Sequence, residues 1–124
     1  MKDETSGWWK QALEDFSTAQ FNFRGKKYKY ASFLCQQAIE KAFKALLLER
    51  TGGFRKVHDL VLLGREVELP DNLLKAIKEL TLAYVYSRYP DVKQEKKLKE
   101  KSSHFLDVSE EVLKWVKERL FGSN

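Results

Sequence analysis

The segment from Tyr30 to Glu49, YASFLCQQAIEKAFKALLLE, constrains the fold most, because its polar residues Gln36, Gln37, Glu40, Lys41 and Lys44 gather into one narrow stripe of a helix. At about 100° per residue, the apolar side chains Leu34, Cys35, Ala38, Ile39, Ala42, Phe43, Ala45, Leu46 and Leu47 cover more than half the circumference, wider than the buried face of a surface helix. Such a helix has to be covered on several sides. The cover comes from other helices of its own bundle, from a second copy of the chain, or from both.

A chain of 124 residues with 43% hydrophobic side chains matches one domain, residues 1–124, around a single core. No apolar run approaches the length that spans a bilayer, and the first residues, MKDETSGWWKQ, lack the basic-then-apolar order of a signal peptide. A soluble cytoplasmic protein without membrane partners is expected. The single cysteine, Cys35, lies on the apolar arc, which excludes a disulfide framework and points to core packing rather than a catalytic thiol. The net charge of +5 is concentrated in two places. Arg24, Lys26, Lys27 and Lys29 have no acid among them, and Lys93, Lys96, Lys97, Lys99 and Lys101 outnumber Glu95 and Glu100. Clusters of this kind either contact phosphates or form solvated, lysine-rich turns.

Periodicity predicts an all-α fold. A first helix runs from an N-cap at Thr5 or Ser6 to Phe23, with Trp9, Ala12, Leu13, Phe16, Ala19 and Phe23 inward and Gly25 ending it. The wide-faced helix follows, stopped at Thr51-Gly52-Gly53, where both glycines are expected to take the left-handed conformations that end a helix. A short helix from His58 or Asp59 to Val67 turns Leu60, Leu63 and Val67 inward. A fourth, from Asp71 to Arg88, carries the row Leu73, Ile77, Leu80, Tyr84, Arg88, and Pro90 ends it. The last, from Ser102 to Leu120, buries Phe105, Val108, Val112, Trp115 and Val116. The sum is an antiparallel up-and-down bundle of four long helices plus one short helix.

Arg88 is the foremost candidate for chemistry, since its helix directs it toward the bundle while Pro90 breaks the helix beyond it. With Tyr84, Tyr86, Ser87, Tyr89 and Asp91 close in sequence, it offers a guanidinium fork, phenols and a carboxylate. That set either holds a phosphate or nucleobase, or closes the turn through an Arg88 to Asp91 ion pair. On the second helix, Glu40 and Lys44 have the spacing of an exposed ion pair on a wet face, whereas Gln37 and Lys41, in line with Tyr30 and Phe33 or Leu34, are placed to border a groove with an apolar floor. His58 and Asp59 are adjacent and do not face one another on a helix, so Asp59 reads as a cap. Nothing around His58 or His104 supports metal binding, and no phosphate loop or serine nucleophile motif is present.

Taken together, Trp8 or Trp9, Ala12, Asp15, Phe16 and Ala19, then Gly25, Tyr28, Ala31 and Phe33, the run Gln37-Ala38-Ile39-Glu40-Lys41-Ala42-Phe43-Lys44-Ala45, His58-Asp59-Leu60 and Ser87-Arg88-Tyr89-Pro90-Asp91 resemble the HEPN domain family over nearly the whole chain. The resemblance implies a helical bundle that pairs as a homodimer and is often encoded beside a minimal nucleotidyltransferase. In some branches it implies a metal-independent ribonuclease of a toxin-antitoxin pair. The ribonuclease branch places a histidine after an arginine and four to six intervening residues; after Arg88 those positions hold Lys93, Gln94 and Glu95. Without an imidazole to exchange a proton near neutral pH, that chemistry lacks its acid or base. The chain is more similar to the branch ending in RYPD, which implies a noncatalytic domain binding a nucleotide, or a nucleotidyltransferase partner, through Arg88, Tyr89, Asp91, Tyr84, Lys41 and Gln37. The implied ligand is a nucleotide, with no catalytic residue, metal or other cofactor. An RNA-cleaving toxin and a purely structural interaction module are the alternatives.

Overall fold

The computed structural model describes residues 1–87 and 95–122. They form five helices: α1 (Asp3–Arg24), α2 (Tyr28–Thr51), α3 (Leu60–Glu66), α4 (Asp71–Ser87) and α5 (Glu95–Phe121). No strand occurs among the described residues, and the four long helices and one short one match the expected bundle.

Helices α1 and α2 make an antiparallel hairpin pinned at both ends. At one end the Lys2 ammonium donates to the Leu48 carbonyl at 3.0 Å, while at the other the Phe23 and Tyr28 rings meet edge to face at 5.4 Å. Between these, the reversal is made by Gly25 to Lys27. The Lys27 amide reaches the Asn22 carbonyl at 2.8 Å, and Lys26 takes a left-handed φ of 61° to allow it. Helix α5 starts beside the first turn of α2, where the buried Ser102 hydroxyl donates to the Tyr28 carbonyl at 3.2 Å, and ends with Phe121 against Trp9 at 6.2 Å. It therefore runs parallel to α2.

Helix α3 is tied to the C-terminal half of α2 by Arg50, whose guanidinium donates to the Val67 carbonyl at 3.0 Å. Glycine at residue 64 lets α3 come close to α4: a Cβ there would lie a tight 3.0 Å from a Leu74 methyl, whereas the Phe43 ring of α2, at 3.6 Å, would remain in ordinary contact. Asp59 caps α3 as expected, its Oδ1 accepting from the amides of Val61 and Leu62 at 3.0 and 3.1 Å. Asp59→Ala should lower stability by about 1 kcal/mol in urea unfolding, since two first-turn amides of α3 lose their acceptor.

The core is contributed by all five helices, with Ala12, Cys35, Ile39, Phe43, Leu63, Ile77, Phe105 and Val112 among its buried members. Burial pushes the Cys35 thiol from its ordinary 9.0 up to about 11. The folded protein should therefore resist iodoacetamide at mildly alkaline pH and become labelled only on unfolding. The unfolded thiol ionises first, so the contribution of this group to stability is complete below pH 9.0 and falls as pH rises toward about 11.

Several expectations need correction. Helix α1 starts at Asp3 rather than after a Thr5 or Ser6 cap, because the Lys2 backbone is anchored by Glu49 at 3.2 Å and the acids Asp3 and Glu4 suit the first turn. Leu13 is 45% exposed rather than inward, since α1 faces its neighbours through Trp9, Ala12 and Ala19. Only Gly52, φ 83°, uses the left-handed region after α2, and Gly53 does not. Helix α5 begins well before Ser102. Its opening Glu and Lys residues lack apolar periodicity but are strong helix formers.

Candidate functional site

The polar stripe of α2 divides into two halves with different surroundings. In the half toward the C-terminus, Glu40 and Lys44 are buried rather than exposed, each side chain only 6% accessible, and the Lys44 ammonium donates to Glu40 Oε2 at 3.0 Å. The expected wet-face pair is thus interior. The reason lies in residues far from it in sequence: Trp8 of α1 and Phe54 of the α2–α3 connection stack edge to face at 5.2 Å and hold the ammonium 5.8 and 5.3 Å from their ring centres.

His58 completes this cluster from the same connection. Its ring Nδ1 lies 3.2 and 3.1 Å from the two Glu40 oxygens, a position from which an Nδ1–H donates, while the rest of the side chain is 84% exposed. The His58-Asp59-Leu60 motif therefore has three structural tasks: His58 reaches back to α2, Asp59 caps α3, and Leu60 enters the core. Lys41, expected at a groove border, is half-buried and bonded to Asp15 of α1 at 2.6 Å. Its charge is already matched.

The half toward the N-terminus of α2 is open. Gln36 and Gln37 are half-buried there, beside Tyr30 at 66% and Phe33 at 43% exposure, giving a surface of amides and rings. Of the predicted ligand-binding set, Gln37 and Lys41 lie on successive turns of α2 and Tyr84 falls in the last turn of α4. Arg88, Tyr89 and Asp91 lie outside the described residues. No group of three His, Cys, Asp or Glu among the described residues is arranged to hold a metal ion.

The sequence reading noted Trp8 and Asp15 only as motif residues and missed Phe54, and the contacts of Trp8 and Phe54 with Lys44 and of Asp15 with Lys41 escaped it. The available signal was the hairpin itself: once α1 and α2 are paired antiparallel, Asp15 falls beside Lys41 and Trp8 beside Lys44.

A five-helix bundle whose central helix carries a buried acid–lysine pair, latched by a histidine from the following connection, defines a small helical domain of one recognisable type. The family model for the HEPN domain matches residues 5–119, and the chain belongs to the HEPN family. Among solved structures, a Thermus thermophilus protein is similar at 28% identity and TM-score 0.80, covering 95% of this chain and 99% of that one. An archaeal HEPN homologue is similar at 31% identity and TM-score 0.74, covering 97% and 99%. An HEPN domain protein from Thermotoga maritima shares the fold at 22% identity and TM-score 0.76, covering 92% and 97%. No curated protein sequence matches the chain. No helix among the described residues is long and apolar enough to cross a membrane.

Proposed function

We propose that the chain is a noncatalytic, cytoplasmic HEPN domain that pairs as a homodimer and binds a nucleotide, or the nucleotidyl group of a nucleotidyltransferase partner, through Arg88, Tyr89 and Asp91. Tyr84, Gln37 and Lys41 flank the ligand, Lys41 by exchanging part of its bond to Asp15. A planar guanidinium pairs bidentately with phosphate and a tyrosine ring stacks on a base, which suits this residue set to a nucleotide. The partner subunit carries out any chemistry.

One observation carries the reading. The family match spans residues 5–119, including Arg88-Tyr89-Pro90-Asp91, while Lys93, Gln94 and Glu95 stand where a ribonuclease of this family needs its histidine. The engagement of His58 with Glu40 supports it, because that imidazole already has a structural task. Calorimetry with ATP, GTP and UTP should show heat of binding that Arg88→Ala removes, and labelled RNA should remain intact with the same preparation. Absence of heat with every nucleotide, with and without a nucleotidyltransferase partner, would sink the proposal. Light scattering at a monomer's mass would remove the homodimer.

A further inference from the structure

His58 is fixed at one ring nitrogen and open at the other. Its Nδ1 stands 3.2 and 3.1 Å from the two oxygens of Glu40, so the tautomer that bonds is the Nδ1–H form, and Nε2 keeps its lone pair. The side chain as a whole is 84% accessible. Nε2 has no partner among the described residues and faces solvent.

The carboxylate behind the ring is held more firmly than a surface acid. Glu40 is only 6% accessible, and the equally buried Lys44 donates to its Oε2 at 3.0 Å from beside the Trp8 and Phe54 rings. The acid cannot swing away. The imidazole is therefore kept in one tautomer, and positive charge that develops on the ring meets a fixed negative charge at Nδ1, of which Lys44 takes a share.

Anchoring the connection accounts for the Nδ1 bond but not for a ring left in the open. Metal binding at Nε2 would need further ligands, and no group of three His, Cys, Asp or Glu among the described residues is arranged to hold an ion. Asp59, next in sequence, is taken up by the α3 cap. Nucleophilic attack needs access, a fixed orientation and compensation of the ring's charge, and all three are present. The same connection carries two exposed cations just before His58: Arg55, which reaches Glu66 through Nε at 3.1 Å, and Lys56, which is in no ion pair among the described residues. Cations there favour an approaching phosphate over a neutral ester.

We infer that His58 Nε2 is a phosphoryl-acceptor site for small acyl phosphates. The Nε2 lone pair attacks phosphorus and forms an N–P bond, while the P–O bond to the acyl group breaks and its electron pair leaves on the carboxylate. The proton stays on Nδ1. The ring then carries its charge against Glu40, and the phosphoryl oxygens lie on the open side. The assignment goes beyond the nucleotide reading above and uses none of its residues.

Acetyl phosphate, added to the full chain near neutral pH, tests it, with His104 as the internal control. That imidazole is also exposed but has no hydrogen-bonded carboxylate among the described residues. Tandem mass spectrometry should find His58 phosphorylated at least about tenfold faster than His104, because only His58 is oriented by an acid. Phosphorus NMR should show the Nε2 isomer, and His58→Gln, folded by circular dichroism, should lose the signal. In urea the two histidines should react alike, since the Glu40 contact is gone. Equal rates in the folded protein, a preference that persists in urea, attachment at Nδ1, or lysine acetylation with no phosphoryl group on His58 would each overturn the inference. Nucleotide calorimetry bears on Arg88 alone, so either result can fail without the other.

Discussion

Glu40→Leu should lower the free energy of unfolding by about 3–5 kcal/mol, because it leaves the Lys44 ammonium buried without its carboxylate. The Trp8 and Phe54 rings attract the cation, but at 5.8 and 5.3 Å they replace only part of the lost partner. Lys44→Met should cost less. Glu40 then keeps His58 as a hydrogen-bond donor at 3.1 Å. The double variant Glu40→Leu, Lys44→Met should recover to within about 2 kcal/mol of the parent, since two apolar groups of similar volume carry no unpaired charge. Chemical unfolding of the four proteins gives the cycle directly. A loss below about 1 kcal/mol for Glu40→Leu alone would mean that water reaches the ammonium and that the cluster is no true interior pair.

Phe43→Ala should be of similar size, about 3–5 kcal/mol, through a cavity rather than a charge. Phe43 is 0% exposed, and the edge of its ring lies beside Gly64 of α3. Helix α3 also holds through buried Leu60, Leu63 and Val67 and through the Arg50 bond to the Val67 carbonyl, but at seven residues it is the shortest helix, so the loss should be accompanied by early exposure of the α2–α3 connection to protease. Limited proteolysis cutting first elsewhere would show that α3 docks through Leu60, Leu63 and Val67 without help from Phe43.

The helices were legible because their apolar residues recur at helical spacing: Leu60, Leu63 and Val67, or Val108, Val112 and Val116, are buried as the pattern requires. Periodicity also gave α2 an arc too wide for one neighbour, and that helix is in contact with all four others. The pattern erred where stability comes from another source. The start of α5 has almost no apolar residue to betray it, and the start of α1 is fixed by contacts from Lys2 to Leu48 and Glu49 rather than by a local cap. For the same reason the surroundings of Glu40 and Lys44 were misread. Four-residue spacing describes an ion pair on a helix but says nothing of a tryptophan and a phenylalanine that close over it from elsewhere in the chain.

The motif residues thus divide into two sets. Lys41, Glu40, Lys44, His58 and Asp59 are engaged in holding α1, α2 and the connection to α3 together. Their presence in the sequence identifies the fold. The functional reading rests instead on Arg88 and its neighbours, and on the outward nitrogen of His58.

Because α2 borders every other helix, none of them can detach without exposing part of it. Amide protons in the middle of α2 should therefore exchange with deuterium only when the whole molecule opens, whereas those of α3 escape through smaller, more frequent openings. The slowest protons near Ile39 to Leu46 then measure the global unfolding free energy under native conditions, with no denaturant added.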